Sequence, residues 1–124
     1  MNIKALYTTY NGRISRSQYW IGFVGLIVIA ILFGLALGLL GLTGEGEASI
    51  LEGLFTLGMM ALGFALYIKR FHDMDKSGWF SLLMLIPFIN LAVGLFWLGF
   101  VKGADGANSY GEDPLLLGNN VTAE

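Results

Sequence analysis

The sequence predicts an all-α integral membrane protein with three transmembrane helices, the third kinked at Pro87. Hydrophobic residues make up 56% of the 124-residue chain and charged residues 13%, whereas a typical soluble protein is roughly 25% charged. The apolar residues concentrate in three long stretches, at 19–42, 50–68 and 79–101. A soluble chain of this length has too little interior to hide so much apolar surface. Lipid removes that difficulty, because apolar side chains can then face outward.

The first stretch, residues 19–42, contains no charged side chain. As a helix it would be about 36 Å long, enough to cross a hydrocarbon core about 30 Å thick with some tilt. A buried helix of a soluble protein keeps a polar face, and a signal peptide has an apolar region of only roughly 7–15 residues. We therefore interpret this stretch as a retained span. Ser15 is a candidate N-cap, and Tyr19 and Trp20 suit the membrane interface.

The other two stretches are less regular. Residues 50–68 carry one acid near their start, Glu52, and residues 79–101 contain Pro87 and Asn90. Proline lacks a backbone N–H and disfavours helix in the residue before it. We predict a single kinked span, because membrane helices tolerate proline. The alternative is a re-entrant segment that bends near Pro87 and returns the tail to the side from which it came.

Basic residues predict the orientation, because Lys and Arg collect on the cytoplasmic side of a membrane. With three spans and a cytoplasmic N-terminus, six of the seven basic residues lie inside: Lys4, Arg13, Arg16, Lys69, Arg70 and Lys76. Lys102, in the polar tail 102–124, would lie outside, whereas the re-entrant alternative places all seven inside. That tail is either a disordered exit segment or an ordered flap with Tyr110 packed down. We interpret residues 1–124 as one membrane domain.

Polar side chains crowd at the cytoplasmic ends of the first two spans. The candidate interfacial cluster consists of Arg13, Arg16, Arg70, His72 and Asp73. Arg13 and Arg16 are three residues apart and would share a helix face, and Asp73 could pair with Arg70, Arg13 or Arg16. A shielded pair would hold the first two helices in register, whereas an exposed pair adds only about 0–1 kcal/mol. The same arginines would also suit anionic lipid headgroups.

The sequence predicts no enzyme, metal site or cofactor. It has no cysteine and one histidine, so thiolate chemistry and a multi-histidine metal site are excluded within one chain. Residues 73–78 match the first half of a calcium loop, but Met84 stands where the closing glutamate belongs. A net charge of -2 disfavours a nucleic-acid partner. No ionisable residue lies deep in a span, which weighs against a pump or an ion channel.

Three ordered motifs flank the apolar stretches: Gly12-Arg-Ile-Ser-Arg16 with Tyr19-Trp20, then Arg70-Phe-His-Asp73 with Ser77-Gly-Trp79, then Asn108-Ser-Tyr-Gly111 with Pro114. Together, over about residues 8 to 115, they resemble the family of bacterial inner-membrane proteins known as domain of unknown function 805. The resemblance implies a small plasma-membrane protein and no particular reaction, since the activity of that family is not established. Three spans would put the third motif opposite the other two, whereas the re-entrant alternative would let all three meet.

These features leave three functions open. The first is a non-enzymatic scaffold or accessory subunit that binds another membrane protein or forms a homo-oligomer, favoured by the small-residue pair Gly34-x-x-x-Gly38. The second is a binder of lipid headgroups or a small ligand through the interfacial cluster. The third is an oligomeric transporter, for which three spans per chain are few. Membrane lipids are expected partners in every case.

Overall fold

The computed structural model describes residues 2–42 and 46–117, and every regular element in those ranges is helical. A short N-terminal helix precedes two long helices, a broken apolar hairpin and a short C-terminal helix. The bounds are α1 Ile3–Thr8, α2 Arg16–Leu39, α3 Glu47–Asp73, the 3-10 helix α4 Gly78–Leu85, α5 Ile89–Phe100 with a π-helical middle, and α6 Pro114–Leu117. Residues 43–45 and the end of the predicted tail lie outside the described residues.

Helices α2 and α3 are the two, among the described residues, that are long and apolar enough to cross a membrane. They contain 24 and 27 residues, or about 36 and 40 Å of helix. Only 17% of the apolar stretch of each is buried, and their exposed side chains are mainly Ile, Leu and Val. A core helix of a soluble protein would be covered far more completely, so this exposure is what lipid-facing helices require.

The start of α2 follows from its sequence. Ser15 accepts a hydrogen bond from the backbone of Gln18, and the Gln18 side chain accepts one from the Ser15 backbone. This reciprocal capping box satisfies two amides that have no partner inside the helix. The candidate N-cap at Ser15 is therefore confirmed, and the helix begins three residues before the predicted span.

The core lies where α2 begins and α3 ends. Its buried apolar residues are Leu6, Ile14, Tyr19, Leu26, Leu66, Phe71, Val93 and Leu98. Towards the other end, α2 and α3 touch through Phe33 and Phe55, whose rings stack at 3.9 Å. A Cβ atom built at Gly34 or Gly38 would meet no atom within 4 Å. The small-residue pair therefore does not pack α2 against any described part of this chain.

The third apolar stretch is not the single kinked helix predicted for residues 79–101. The helix breaks at Ile86–Phe88, where Ile86 is extended with φ -91° and ψ 119°, the conformation favoured before a proline. Phe88 then has a φ of 67°, which turns the chain sharply. The break lies at the predicted residue, Pro87, but it reverses the chain instead of kinking it.

Both outer ends of this broken stretch return to the C-terminal end of α3. At the start of α4, a Cβ atom on Gly78 would lie 2.9 Å from Ile68. At the end of α5, the carbonyl of Leu98 accepts a hydrogen bond of 2.7 Å from Arg70. Neither arm reaches the roughly 30 Å of a hydrocarbon core, because eight residues of 3-10 helix and twelve of α-helix rise about 16 and 18 Å. The two arms form a helical hairpin packed against α3.

Candidate functional site

The site forms where three segments distant in sequence meet at the end of α3. The loop before α2 joins α3 through a hydrogen bond of 3.4 Å from the Ile14 amide to the Lys69 carbonyl. The tail joins it through one of 2.7 Å from the Ala104 amide to the Asp73 carbonyl. Each segment carries one of the three predicted motifs. The structure therefore brings all three motifs to one end of the molecule, not to opposite ends as the three-span prediction required.

Asp73 sits between two arginines. Its Oδ1 accepts a hydrogen bond of 3.1 Å from Arg13 Nε, and its Oδ2 accepts one of 2.6 Å from Arg70 Nη1. The side chains of Arg13, Arg70 and Asp73 are 1%, 0% and 6% exposed. We call these three residues the arginine–aspartate cluster. The expected pairing of Asp73 with a basic residue is present as a buried ion triplet, and Arg16 is not part of it.

Arg13 also binds the tail. Its Nη1 donates to the carbonyl of Gly106 at 2.6 Å, and its Nη2 donates to that of Ala104 at 2.6 Å. Arg13 precedes the first residue of α2, so it does not share a helix face with Arg16 as the sequence predicted. Its guanidinium instead fixes the path of the tail by donating to backbone carbonyls. Those carbonyls are present whichever side chains the tail carries.

Arg16, Trp20 and Arg70 cap the end of α5. An α-helix leaves its last carbonyls without partners inside the helix. Four successive carbonyls, those of residues 98–101, each accept a side-chain hydrogen bond here. Arg70 donates to Leu98 and Val101, Trp20 Nε1 donates to Gly99 at 2.8 Å, and Arg16 donates to Phe100 at 3.0 Å. The two arginines also place positive charge at the negative end of the helix dipole.

His72 holds the tail flap. Its ring stacks on Tyr110 with the centroids 3.9 Å apart and the planes 3° from parallel. Its Nδ1 lies 3.0 Å from the Gly12 carbonyl, and its own carbonyl accepts a hydrogen bond from Asn108. Of the two interpretations of the tail, the ordered flap with Tyr110 packed down matches the structure as far as residue 117.

A glycine is required where the tail crosses Asp73. A Cβ atom at Gly103 would overlap the carboxyl group of Asp73. Any side chain there would separate the tail from α3, so this position couples tail packing to the arginine–aspartate cluster.

Two functional contacts were missed by the sequence reasoning. Lys69, used above only to orient the chain, is 3% exposed. Its ammonium donates to the carbonyls of Ala5 and Leu6 at 2.8 and 2.6 Å, and so ties α1 to α3. The available signal was its position, since a lysine that directly follows an apolar stretch can reach the carbonyl end of a neighbouring helix.

Asp113 is the second missed residue. Its carboxylate accepts hydrogen bonds from the amides of Gly106 and Leu115, both at 3.0 Å. Burial alone would raise the pKa of Asp113, but these hydrogen bonds and the charge of Arg13 hold the pKa below its usual value. Asp113 therefore remains an anion that closes the tail loop.

An apolar cleft of ≈ 350 Å³ separates α2, α3 and the turn of the hairpin. Its lining comprises Phe23, Leu26, Ile27, Ala30, Thr56, Met59, Met60, Gly63, Phe64, Tyr67, Met84 and Leu85. A second cleft, of ≈ 230 Å³, lies beside the arginine–aspartate cluster and includes Arg16, Ser17 and Lys102. The described residues contain no group of three acidic, His or Cys side chains placed to hold a metal ion.

Comparison with known proteins gives one family. The family model described as "Protein of unknown function (DUF805)" matches residues 7–112. Inner membrane protein YhaI of Escherichia coli (strain K12) is 38% identical over 114 residues, which cover 91% of this chain and 92% of that protein. Inner membrane protein YhaH of the same organism is 32% identical over 110 residues, covering 89% and 90%. No solved structure matches.

Proposed function

The chain belongs to the DUF805 family, whose matched relatives in E. coli are named inner membrane proteins, and from this premise we propose that it is a non-enzymatic scaffold or accessory subunit of the inner membrane. One observation carries the proposal. The charged groups of the arginine–aspartate cluster are consumed by one another and by backbone carbonyls. They organise the fold, and many large apolar side chains of α2 and α3 remain exposed for contact with lipid or with a partner.

The proposed arrangement in the membrane is two spans and one re-entrant hairpin. Helices α2 and α3 cross the bilayer, and α4 and α5 enter it and return. Arg13 and Lys102 then lie at the same end of the bundle, which supports a cytoplasmic location for both termini. All seven basic residues fall on that side, as the positive-inside rule favours. This arrangement replaces the kinked third span, because the tail motif contacts the other two.

An architectural role for the cluster follows from its hydrogen-bond inventory. A guanidinium has five N–H donors, and those of Arg13 point at Asp73 and at carbonyls of the tail. An anionic substrate would have to displace these contacts before it could bind. The cluster is therefore better suited to fixing helices and tail than to taking up a ligand.

The test is the composition of the protein as isolated from the membrane. We expect chemical crosslinking in native membranes, followed by native mass spectrometry in lipid nanodiscs, to yield a defined complex with another membrane protein or with a second copy. Recovery of nothing but lipid-solvated monomers at native expression levels would contradict a scaffold or accessory role.

A second candidate is binding of an anionic lipid headgroup at the smaller cleft. The observation in its favour is that Arg16 and Lys102 border that cleft. Lys102 is 55% exposed and its partner, Asp105, is 83% exposed, and an exposed pair of this kind is weak enough to exchange for another anion. Arg13 and Arg70, also expected to serve such a site, are engaged elsewhere. We expect Lys102→Gln to retain less phosphatidylglycerol than Lys4→Gln, a matched loss of one positive charge outside the cleft. Equal lipid retention by the two proteins would remove this candidate.

A further inference from the structure

The apolar cleft between α2, α3 and the hairpin lies in the cytoplasmic half of the proposed membrane region. Its lining on α3 runs from Thr56 to Tyr67, a distance of about 16 Å along the helix. Tyr67 lies one residue before the end of the apolar stretch 50–68, and Thr56 lies close to the middle of that stretch. One leaflet of a hydrocarbon core is half of about 30 Å, or about 15 Å, thick. The cleft therefore has the length and the depth of one leaflet.

Three elements of the chain form the walls of the cleft. Ile27 lies on the wall from α2, Met60 on the wall from α3 and Leu85 on the wall from the hairpin. These side chains are 46%, 42% and 54% exposed, so the cleft is open to the surrounding hydrocarbon. A helix about 10 Å across is too wide to enter a cleft of ≈ 350 Å³ with this length. A single hydrocarbon chain is thin enough, and the flexible methionines of the lining can adjust to its path.

The hydroxyl of Tyr67 is a polar group without a partner at the cytoplasmic end of the cleft. The Tyr67 ring lies against Gly63, which also lines the cleft, and a Cβ atom at Gly63 would be 3.6 Å from the hydroxyl oxygen. This hydroxyl forms no hydrogen bond to the described residues, whereas the Thr56 hydroxyl at the other end donates to the Glu52 carbonyl at 2.8 Å. In hydrocarbon a hydroxyl without a partner is costly. The cleft therefore favours an occupant that is apolar except for an acceptor at its cytoplasmic end.

We propose that the cleft binds one acyl chain of a glycerophospholipid from the cytoplasmic leaflet, and that the Tyr67 hydroxyl donates a hydrogen bond to the ester carbonyl of that chain. A phenolic hydroxyl is a donor, and an ester carbonyl is an acceptor that stands at the headgroup end of an otherwise apolar chain. The chain then runs from Tyr67 towards Thr56, from the headgroup level to the middle of the bilayer. This inference rests on the proposed arrangement in the membrane and not on the scaffold role.

The acyl-chain site is separate from the smaller cleft beside the arginine–aspartate cluster. No residue lines both clefts. The smaller cleft has basic residues on its border and would bind an anionic headgroup, whereas the apolar cleft contacts the chain and its ester. Occupation of the apolar cleft is therefore expected to be independent of headgroup charge, which allows a zwitterionic lipid to be used as the probe.

Competition between two lipids tests the hydrogen bond to the ester. Nanodiscs are prepared with equal amounts of diester and diether phosphatidylethanolamine of the same chain length, and native mass spectrometry identifies the last lipid to dissociate from the protein. We expect the unmodified protein to retain the diester about 3- to 20-fold more often, the range corresponding to one polar contact in a membrane. Equal retention of the two lipids by the unmodified protein would overturn the proposal.

Two tyrosine variants assign that preference to one hydroxyl. Tyr67→Phe removes the hydroxyl and keeps the ring that packs against Tyr19 and Phe64, and we expect it to retain the two lipids equally. Tyr10→Phe is the matched control, because the Tyr10 hydroxyl donates to the Ala61 carbonyl and Tyr10 does not line the cleft. This control should keep the preference for the diester. The same ratio of lipids in both variants would overturn the role of Tyr67.

A second measurement locates the chain. Ala30 and Ala36 are both exposed residues of α2, but only Ala30 lines the cleft, so Ala30→Phe fills the cleft and Ala36→Phe is the matched control. The probe is phosphatidylethanolamine with a photoactivatable diazirine in one acyl chain. We expect Ala30→Phe to lose most of the labelling of the segment that contains Met59 and Met60, and Ala36→Phe to keep it. Equal labelling in the two variants would mean that the chain only surrounds the protein, and would overturn the site.

These experiments fail independently of the scaffold role. Neither lipid measurement depends on which proteins are isolated together from native membranes. Recovery of lipid-solvated monomers alone would contradict the scaffold role and leave the acyl-chain site standing. Loss of the diester preference, or labelling that ignores Ala30→Phe, would overturn the acyl-chain site and leave the scaffold role to its own test.

Discussion

Replacing Asp73 by asparagine removes one negative charge from between two buried arginines and keeps the size of the side chain. The carboxylate of Asp73 now accepts hydrogen bonds of 3.1 Å from Arg13 and 2.6 Å from Arg70. A hydrogen bond to a charged group contributes about 1.5–3 kcal/mol. An asparagine presents a single acceptor oxygen, so one arginine loses its partner and both lose the compensating charge.

The magnitude follows from how deeply the three side chains are buried. With exposures of 1%, 0% and 6%, water cannot replace the missing carboxylate without opening the tail. Breaking a buried ion pair from one side costs about 3–5 kcal/mol, because the remaining charge stays buried without compensation. We therefore expect Asp73→Asn to lower the free energy of unfolding by an amount in this range.

The assay is unfolding of the detergent-solubilised protein on titration with a denaturing detergent. Asp75→Asn is the matched control, because Asp75 is exposed and its φ of 57° is one that asparagine tolerates. Alanine would add backbone strain at that position and blur the comparison. The control should change the free energy of unfolding by less than about 0.5 kcal/mol. Equal midpoints for the two variants would refute the assignment of Asp73 as the centre of the cluster.

Three further predictions follow from the same contacts. A reporter fused at Glu124 should be active as a fluorescent protein and inactive as alkaline phosphatase, because the tail lies beside the loop before α2 and so on the proposed cytoplasmic side. An active phosphatase would place the tail outside and restore the predicted third span. Gly103→Ala should lower the free energy of unfolding by about 1–3 kcal/mol because its Cβ would overlap Asp73, whereas Gly34→Ala, with nothing within 4 Å, should not lower it. Equal loss in these two variants would contradict the tail path. Ile29→Lys, near the middle of α2, should raise the insertion free energy by about 2.5–3.5 kcal/mol; unchanged insertion in a translocon assay would argue against this span.

The two long helices were predictable because their signals are local. Residues 19–42 form an uncharged stretch longer than the hydrocarbon core, and residues 50–68 carry a single acid near one end, so both stretches predict helices in lipid whatever the rest of the chain does. The ion pair of Asp73 was predictable for a similar reason, since a carboxylate at the membrane edge needs a basic partner and Arg13 and Arg70 are near candidates. The burial of that pair was not predictable, because it depends on how the tail covers the pair.

The reversal at Pro87 shows where local signals stop. A proline produces the same loss of a backbone donor in a kinked helix and in a turn. The choice between them depends on Arg16 and Arg70, whose guanidiniums hold the end of α5 from positions 84 and 28 residues away in the sequence. Nothing in the residues around Pro87 encodes those contacts. The role of Lys69 was missed for the same reason, because its acceptors lie in α1.

The side-chain caps at the end of α5 also constrain how the protein is made. Every donor that holds those four carbonyls belongs to a residue synthesised earlier, on α2 or α3. Helices α2 and α3 therefore have to be inserted side by side before the hairpin can dock against them. Docking of the hairpin is then expected as a late step of biogenesis, after residues 98–101 have left the ribosome.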